Sequence, residues 1–159
     1  MLEFLWTTYI GKMIMTFLIS MVPVIELRGA IPVAVAHGLE PIVAIPIAIV
    51  GNLLPVPFII IFIRKIFALL RKWFPKIDGF ITKLENRAQS KSETVQKYAF
   101  WGLFMFVAIP LPGTGAWTGA LIAAMLDMRL KKAFPAIAFG VLTAGAVVAL
   151  VSYGVAGLF

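Results

Sequence analysis

The chain has 159 residues, of which 62% are hydrophobic and 13% charged. Soluble domains sit nearer half apolar and a quarter charged, so this balance excludes an ordinary soluble globule and points to an integral membrane protein of one domain. The absence of cysteine excludes thiol chemistry and cysteine-ligated metals. The net charge of +7 does not mark a nucleic-acid binder, because nine of the fourteen Lys and Arg lie between Arg64 and Lys97, the clustering that the positive-inside rule produces beside a membrane.

Four apolar stretches follow in chain order. The first, Met13 to Ala36, is uncharged except for Glu26 and Arg28. Residues 13–25 have the length of a signal-peptide core and Ala34-Val35-Ala36 has the small residues of a cleavage site, but Glu26 and Arg28 interrupt the approach to it; the N-terminus is read as part of the mature fold. The second stretch, Pro41 to Ile63, is uncharged and long enough for about 30 Å of hydrocarbon. A basic connector, 64–97, comes next. In it Ile66, Leu70, Trp73, Ile77, Ile81, Leu84 and Ala88 recur at helical spacing, with Lys72, Lys76, Lys83 and Arg87 on another face. Pro75 is expected to end one helix and start another, and Ser90-Lys91-Ser92-Glu93 reads as a capping box. Such a segment is either a solvated loop with one helix packed on the protein or a helix lying on anionic lipid headgroups, which its Trp, Phe and Lys content suits. The third stretch, Tyr98 to Leu126, contains IPLPGTGAWTG at 109–119. The fourth, Ala133 to Phe159, is an uninterrupted span.

The halves resemble each other. Ala44-x-Pro46-x4-Gly51-x-Leu53 matches Ala133-x-Pro135-x4-Gly140-x-Leu142; Pro23 aligns with Pro110 and Glu40 with Asp127, given a two-residue insertion before the second block. Each half is a broken apolar segment, a short polar turn and a span. If every stretch crossed the membrane, loops 64–97 and 127–132 would face opposite sides. If the first and third stretches are re-entrant, both loops share the cytoplasmic side with twelve of the fourteen basic residues, which the positive-inside rule favours. The expected fold is therefore all-α: two inverted repeats (about 12–63 and 98–159), each a re-entrant helical hairpin followed by a transmembrane helix, with the amphipathic connector between them. Pro23, Pro32, Pro110 and Pro112, with nearby glycines, are assigned to the bends. Two spans and two hairpins offer little shielding for irregular backbone at that depth, so a homodimer is expected.

Glu26 and Arg28 are costly in a bilayer. They are read either as a mutual ion pair that pins the tip or as a substrate and proton site. In the second reading the arm beginning near Gly29 turns its positive end to the tip. Arg28, the Gly29 and Ala30 N–H groups and the loop Gly113, Thr114, Gly115 then bind an anionic headgroup, with Trp117 walling the cavity and Glu26 orienting Arg28 or exchanging a proton. Asn52 reads as an interhelical hydrogen bond, and His37 as an outer turn residue. No enzyme signature, metal cluster or cofactor motif is present.

ELRGAIP at 26–32, followed by IPLPGTGAWTG at 109–119, resembles the family of small multidrug export proteins, over nearly the whole chain. That family is similar in design to the DedA superfamily of paired re-entrant hairpins, members of which are implicated in moving lipid carriers such as undecaprenyl phosphate and in drug or proton tolerance. The DedA pattern puts an acid in the first hairpin and an arginine in the second; here both charges are in the first, and only Glu26 and Arg28 carry over. The resemblance implies a transporter or flippase for a small amphiphile with an anionic phosphate head, in a prokaryotic inner (plasma) membrane. A proton-coupled drug exporter centred on Glu26 and a non-transporting scaffold are the alternatives.

Overall fold

The computed structural model describes residues 2–89, 92–111 and 113–157, and every regular element among them is helical. Pro112 and the start of the capping box, Ser90-Lys91, lie outside the described residues. A short helix α1 (Leu2–Thr7), which the apolar pattern did not reveal, precedes α2 (Tyr9–Met21). Val22 leaves the helix for extended backbone, Pro23 follows, and Val24 takes φ +75°. Helix α3 (Glu26–Ala36) then begins at once, three residues before the expected start at Gly29. Glu26 adopts φ +51°, and its N–H already reaches the Val22 carbonyl at 3.0 Å, so the helix restarts without waiting for a glycine. The bend to which the sequence assigned Pro32 therefore ends before it. Pro32 is inside α3 and not in the bend, where it removes the helical bond to the Arg28 carbonyl.

The α2–α3 pair folds back on itself. Lys12 donates from Nζ to the His37 carbonyl at 2.6 Å, which holds both ends of the pair at one end of the molecule. Gly38 closes α3 at φ +70°, with Gly38 N–H bonded to the Val35 carbonyl and Leu39 N–H to that of Ala34, a Schellman turn. Pro41 opens α4 (Pro41–Leu53), where its missing N–H costs nothing. Pro55 and Pro57 interrupt the hydrogen-bond ladder, but Leu54 stays helical, so α5 (Pro55–Trp73) continues the same rod. The combined 33 residues run about 50 Å at 1.5 Å per residue, past the uncharged stretch that ends at Ile63 and up to the break expected at Pro75. A 3-10 turn, Pro75–Ile77, leads into α6 (Asp78–Gln89), as Pro75 indicated.

The second half consists of α7 (Ser92–Ala108), α8 (Ala116–Met125) and α9 (Leu130–Ala156). The turn after α8 has the hydrogen-bond pattern of the turn after α3: Asp127 N–H to the Ala124 carbonyl and Met128 N–H to that of Ala123, with Asp127 at φ +55°. Asp127 therefore corresponds to Gly38 and not to Glu40, because the position needs a residue that tolerates the left-handed region.

Packing crosses between the halves, since α3 lies against α9 and α8 against α5. The core is built of small side chains. Ala30, Ala48, Ala116, Ala120 and Ala136 are all fully buried, allowing the close helix approach that membrane interfaces favour. Large apolar residues such as Ile10, Phe58, Phe139 and Leu150 face outward, as a helix bundle in lipid requires. The closest approaches are glycines. A Cβ on Gly51 would stand 2.7 Å from the Phe17 carbonyl oxygen of α2, and one on Gly140 would stand 3.0 Å from the Phe104 carbonyl oxygen of α7.

Candidate functional site at the hairpin tips

The two tips, Val22–Ile25 and the loop of residues 109–111 and 113–115, are joined by the residues beside them, and each hairpin is completed by side chains of the other. Helix α8 begins without a side-chain cap of its own, after Gly115. Its first N–H groups carry the positive end of the helix and need acceptors. Glu26 supplies them across the interface: Ala116 N–H donates to Oε2 at 3.3 Å and Trp117 N–H to Oε1 at 3.0 Å. Glu26 is only 4% exposed. The carboxylate presses so closely on Gly115 that a Cβ there would collide with it.

Helix α7 ends with the opposite need, a cluster of free carbonyls at its negative end. Arg28 meets it. Nη2 donates to the carbonyls of Val107 at 3.3 Å and Ile109 at 3.2 Å, and Nη1 donates to Thr114 Oγ1 at 3.0 Å and to the Leu111 carbonyl. The Thr114 hydroxyl has the Ile109 and Leu111 carbonyls within 2.8 Å, a fixed acceptor for the guanidinium and a donor to the loop. Arg28 Nε is buried with no partner. In turn, Trp117 Nε1–H donates to the Met21 carbonyl at the end of α2, at 3.0 Å. Arg28 and Trp117 thus do equivalent work, each closing the carbonyl end of the other hairpin's first arm.

Glu26 and Arg28 form no ion pair with each other, in contrast to the first sequence reading. Each charge is set against a helix pole and not against its neighbour. Of the sequence candidates, Glu26, Arg28, Thr114, Gly115 and Trp117 converge. Gly113 sits at the exposed outer edge of the loop at φ +81°. Gly29 and Ala30 do not present free N–H groups. α3 starts earlier than expected, so Gly29 N–H bonds to the Ile25 carbonyl at 3.0 Å, and Ala30 is a fully buried core residue.

Sequence reasoning missed the backbone half of the site, the carbonyls of Met21, Val107, Ile109 and Leu111 and the N–H of Ala116. Proline and glycine at 110–115 marked where helical bonding fails, but not which distant side chain repairs it. It also missed two buried polar residues of α2, Thr16 and Ser20, although it singled out the buried Asn52 on α4. Asn52 Oδ1 has no hydrogen-bond partner, so the interhelical bond expected of it is not formed.

The arrangement is lopsided in access. The contacts of Arg28 with Ile109 and Leu111 lie at an exposed edge, whereas that of Glu26 with Ala116 is buried. Around that edge Val22, Val24, Ile25, Ile109 and Leu111 are exposed apolar residues. A cation ringed by neutral oxygen acceptors and bordered by an apolar surface can take an anionic head with an apolar body.

A family model described as "Putative small multi-drug export protein" matches residues 26–147, from Glu26, just after the first tip, through the second tip and into α9. No curated protein and no solved structure matches the chain.

Proposed function

The chain belongs to the small multi-drug export protein family, and from that membership we propose a transporter that moves an amphiphile with an anionic phosphate head past the hairpin tips. The protein is an all-α membrane protein with two apolar rods, Pro41–Trp73 and Leu130–Ala156, long enough to cross a bilayer, and an exporter family is not an enzyme class. The single observation that carries the substrate reading is the setting of Arg28. Its donors at the open edge are held only by carbonyl and hydroxyl oxygens. A phosphate exchanges these neutral acceptors for charged ones, in the fork geometry that suits guanidinium. The tail then lies on the apolar tip residues.

The hairpins are taken as re-entrant and the halves as an inverted repeat, a transporter architecture whose broken helices meet in mid-membrane. Several equivalences support this. The spacing of 89 positions that relates Gly38 to Asp127 also relates Gly51 to Gly140, Pro46 to Pro135 and Arg28 to Trp117. Glu26 and Gly115, again 89 apart, touch each other, as residues beside a pseudo-twofold axis would. The Arg64–Asp127 ion pair is expected if loops 64–97 and 127–132 share the cytoplasmic side of a prokaryotic inner membrane, and is not expected if the stretch 98–126 crosses once as a single span. In the connector, exposed Trp73, Phe74 and Phe80 stand among Arg71, Lys72, Lys76 and Lys83, a composition suited to anionic headgroups. The exposed tips make a homodimer the preferred assembly.

A cationic-drug exporter centred on Glu26 is the second reading. It is less favoured because both Glu26 oxygens are already occupied by α8 and sealed from the edge. Vesicles reconstituted with a fluorescent polyprenyl phosphate separate the two. Arg28→Gln is expected to cut the transbilayer rate at least tenfold and Arg28→Lys less, with Glu26→Gln the milder of the charge removals. A cationic substrate reverses that order, and full activity in Arg28→Gln rules out the phosphate reading.

A further inference from the structure

The ends of the molecule are closed by two contacts that occupy equivalent positions. At one end Arg64, on α5, pairs with Asp127 in the turn between α8 and α9. At the other, the Tyr153 hydroxyl, on α9, donates to the Leu39 carbonyl in the turn between α3 and α4, at 2.8 Å. Arg64 and Tyr153 are 89 positions apart, and their partners, Asp127 and Leu39, lie in turns of the same hydrogen-bond pattern one position out of register, because the same spacing relates Asp127 to Gly38. The two contacts are therefore one element written twice: the far end of one half's rod holding the Schellman turn of the other half. They lie at opposite ends, because Arg64 is separated from the Leu39 turn by the rod that starts at Pro41, about 35 Å of helix.

The two copies differ in chemistry. One is an ion pair whose side chains are 55% and 58% exposed; the other is a neutral hydrogen bond from a half-buried tyrosine. Neither is buried deeply enough to be a permanent weld, since exposed ion pairs are individually weak. The tips between them have no such freedom, being tied by Glu26, Arg28 and Trp117.

We propose that Arg64–Asp127 and Tyr153–Leu39 are the two latches of alternating access, each closing one side of the tip site and opening in turn, and that both are closed in this structure. This rests on the transport reading above, because alternating access by rocking of inverted repeats about a fixed site requires one closure on each side. Breaking a latch shifts the population toward opening on its own side, by as much as the latch favoured the closed form.

The absence of cysteine makes a direct test available. A single Leu111→Cys reporter, on an exposed side chain at the tip edge, is labelled by a membrane-impermeant thiol reagent applied to right-side-out or inverted vesicles without substrate. Asp127→Asn keeps a residue that tolerates the left-handed turn while removing the charge. It is expected to speed labelling from the Arg64 side about two- to fivefold, the shift that loss of one exposed ion pair allows. Tyr153→Phe is expected to speed it from the other side, and Arg64→Lys to stay closer to wild type than Arg64→Gln. The latches are refuted if either variant, running as a monodisperse peak of unchanged thermal midpoint, leaves both rates unaltered, or if both variants open the same side. Because no substrate is present, loss of the phosphate reading through Arg28→Gln would leave this result standing, and the converse holds.

Discussion

At the scale of single residues, the site depends on short distances between charge and backbone. The Glu26 carboxylate lies where a Gly115 side chain would be, so the cap on α8 exists only because position 115 has no Cβ. Gly115→Ala is expected to push the carboxylate from Ala116 and Trp117 N–H, leaving buried donors unsatisfied at a cost of about 1–3 kcal/mol. The measurement is the thermal midpoint in detergent, which should fall, with transport falling alongside it. Gly113→Ala is the informative comparison: its Cβ meets nothing within 4 Å, but its φ of +81° disfavours any side chain, so a milder loss there would reflect backbone strain alone. The sequence made Glu26 and Arg28 conspicuous because an acid and a base stood alone between apolar runs. It could not reveal that each is matched to a helix pole, since those partners are main-chain atoms some eighty to ninety residues away.

At the scale of elements, the hydropathy pattern predicts α4–α5 and α9 well, and proline marks most boundaries, with Pro41, Pro55 and Pro75 all at helix starts. The start of α3 was less legible. A helix beginning on a non-glycine residue at positive φ has no pattern in the sequence; the close support of α8 against Glu26 holds that backbone in place. The helix crossings make a sharper claim. Gly51 and Gly140 face backbone carbonyls, which cannot rotate aside, whereas a Cβ on Gly145 would rest at 3.5 Å from Ile49, an ordinary contact. Gly51→Ala and Gly140→Ala are therefore expected to destabilise by about 1–3 kcal/mol through overpacking. Gly145→Ala should be neutral or stabilising by up to about 1 kcal/mol, the usual gain of alanine over glycine within a helix. Thermal unfolding of the three variants in one detergent decides this, and the larger loss is expected at Gly51, whose Cβ would also collide with Ser20 Oγ, whereas the nearest atom at Gly140 would be 2.7 Å away.

At the scale of the whole molecule, the same exposure values have two meanings, and the position of a residue along the membrane normal chooses between them. Ile42 is 79% exposed near the end of a rod, where a lone apolar side chain facing lipid needs nothing further. Val24 is 86% exposed at a hairpin tip, where the chain is not helical. Irregular backbone at mid-membrane must be shielded by protein or line a wet cavity. Arg28 and Trp117 satisfy the carbonyls on the inner side of the tips, but Pro23 and Val24 project away from them. In the proposed re-entrant arrangement a second copy is the simplest shield; such a dimer would set the apolar tip surface of each protomer against that of its partner and leave the Arg28 edge between them for the proposed headgroup. In a chain without cysteine, Val24→Cys should be joined to its twin by a short bismaleimide in native membranes, giving a band of twice the monomer mass, while Ile42→Cys should not. Monomer alone from both would mean that lipid or the transported amphiphile itself covers the tips, and the tip surface would then belong to the transport path and not to the assembly.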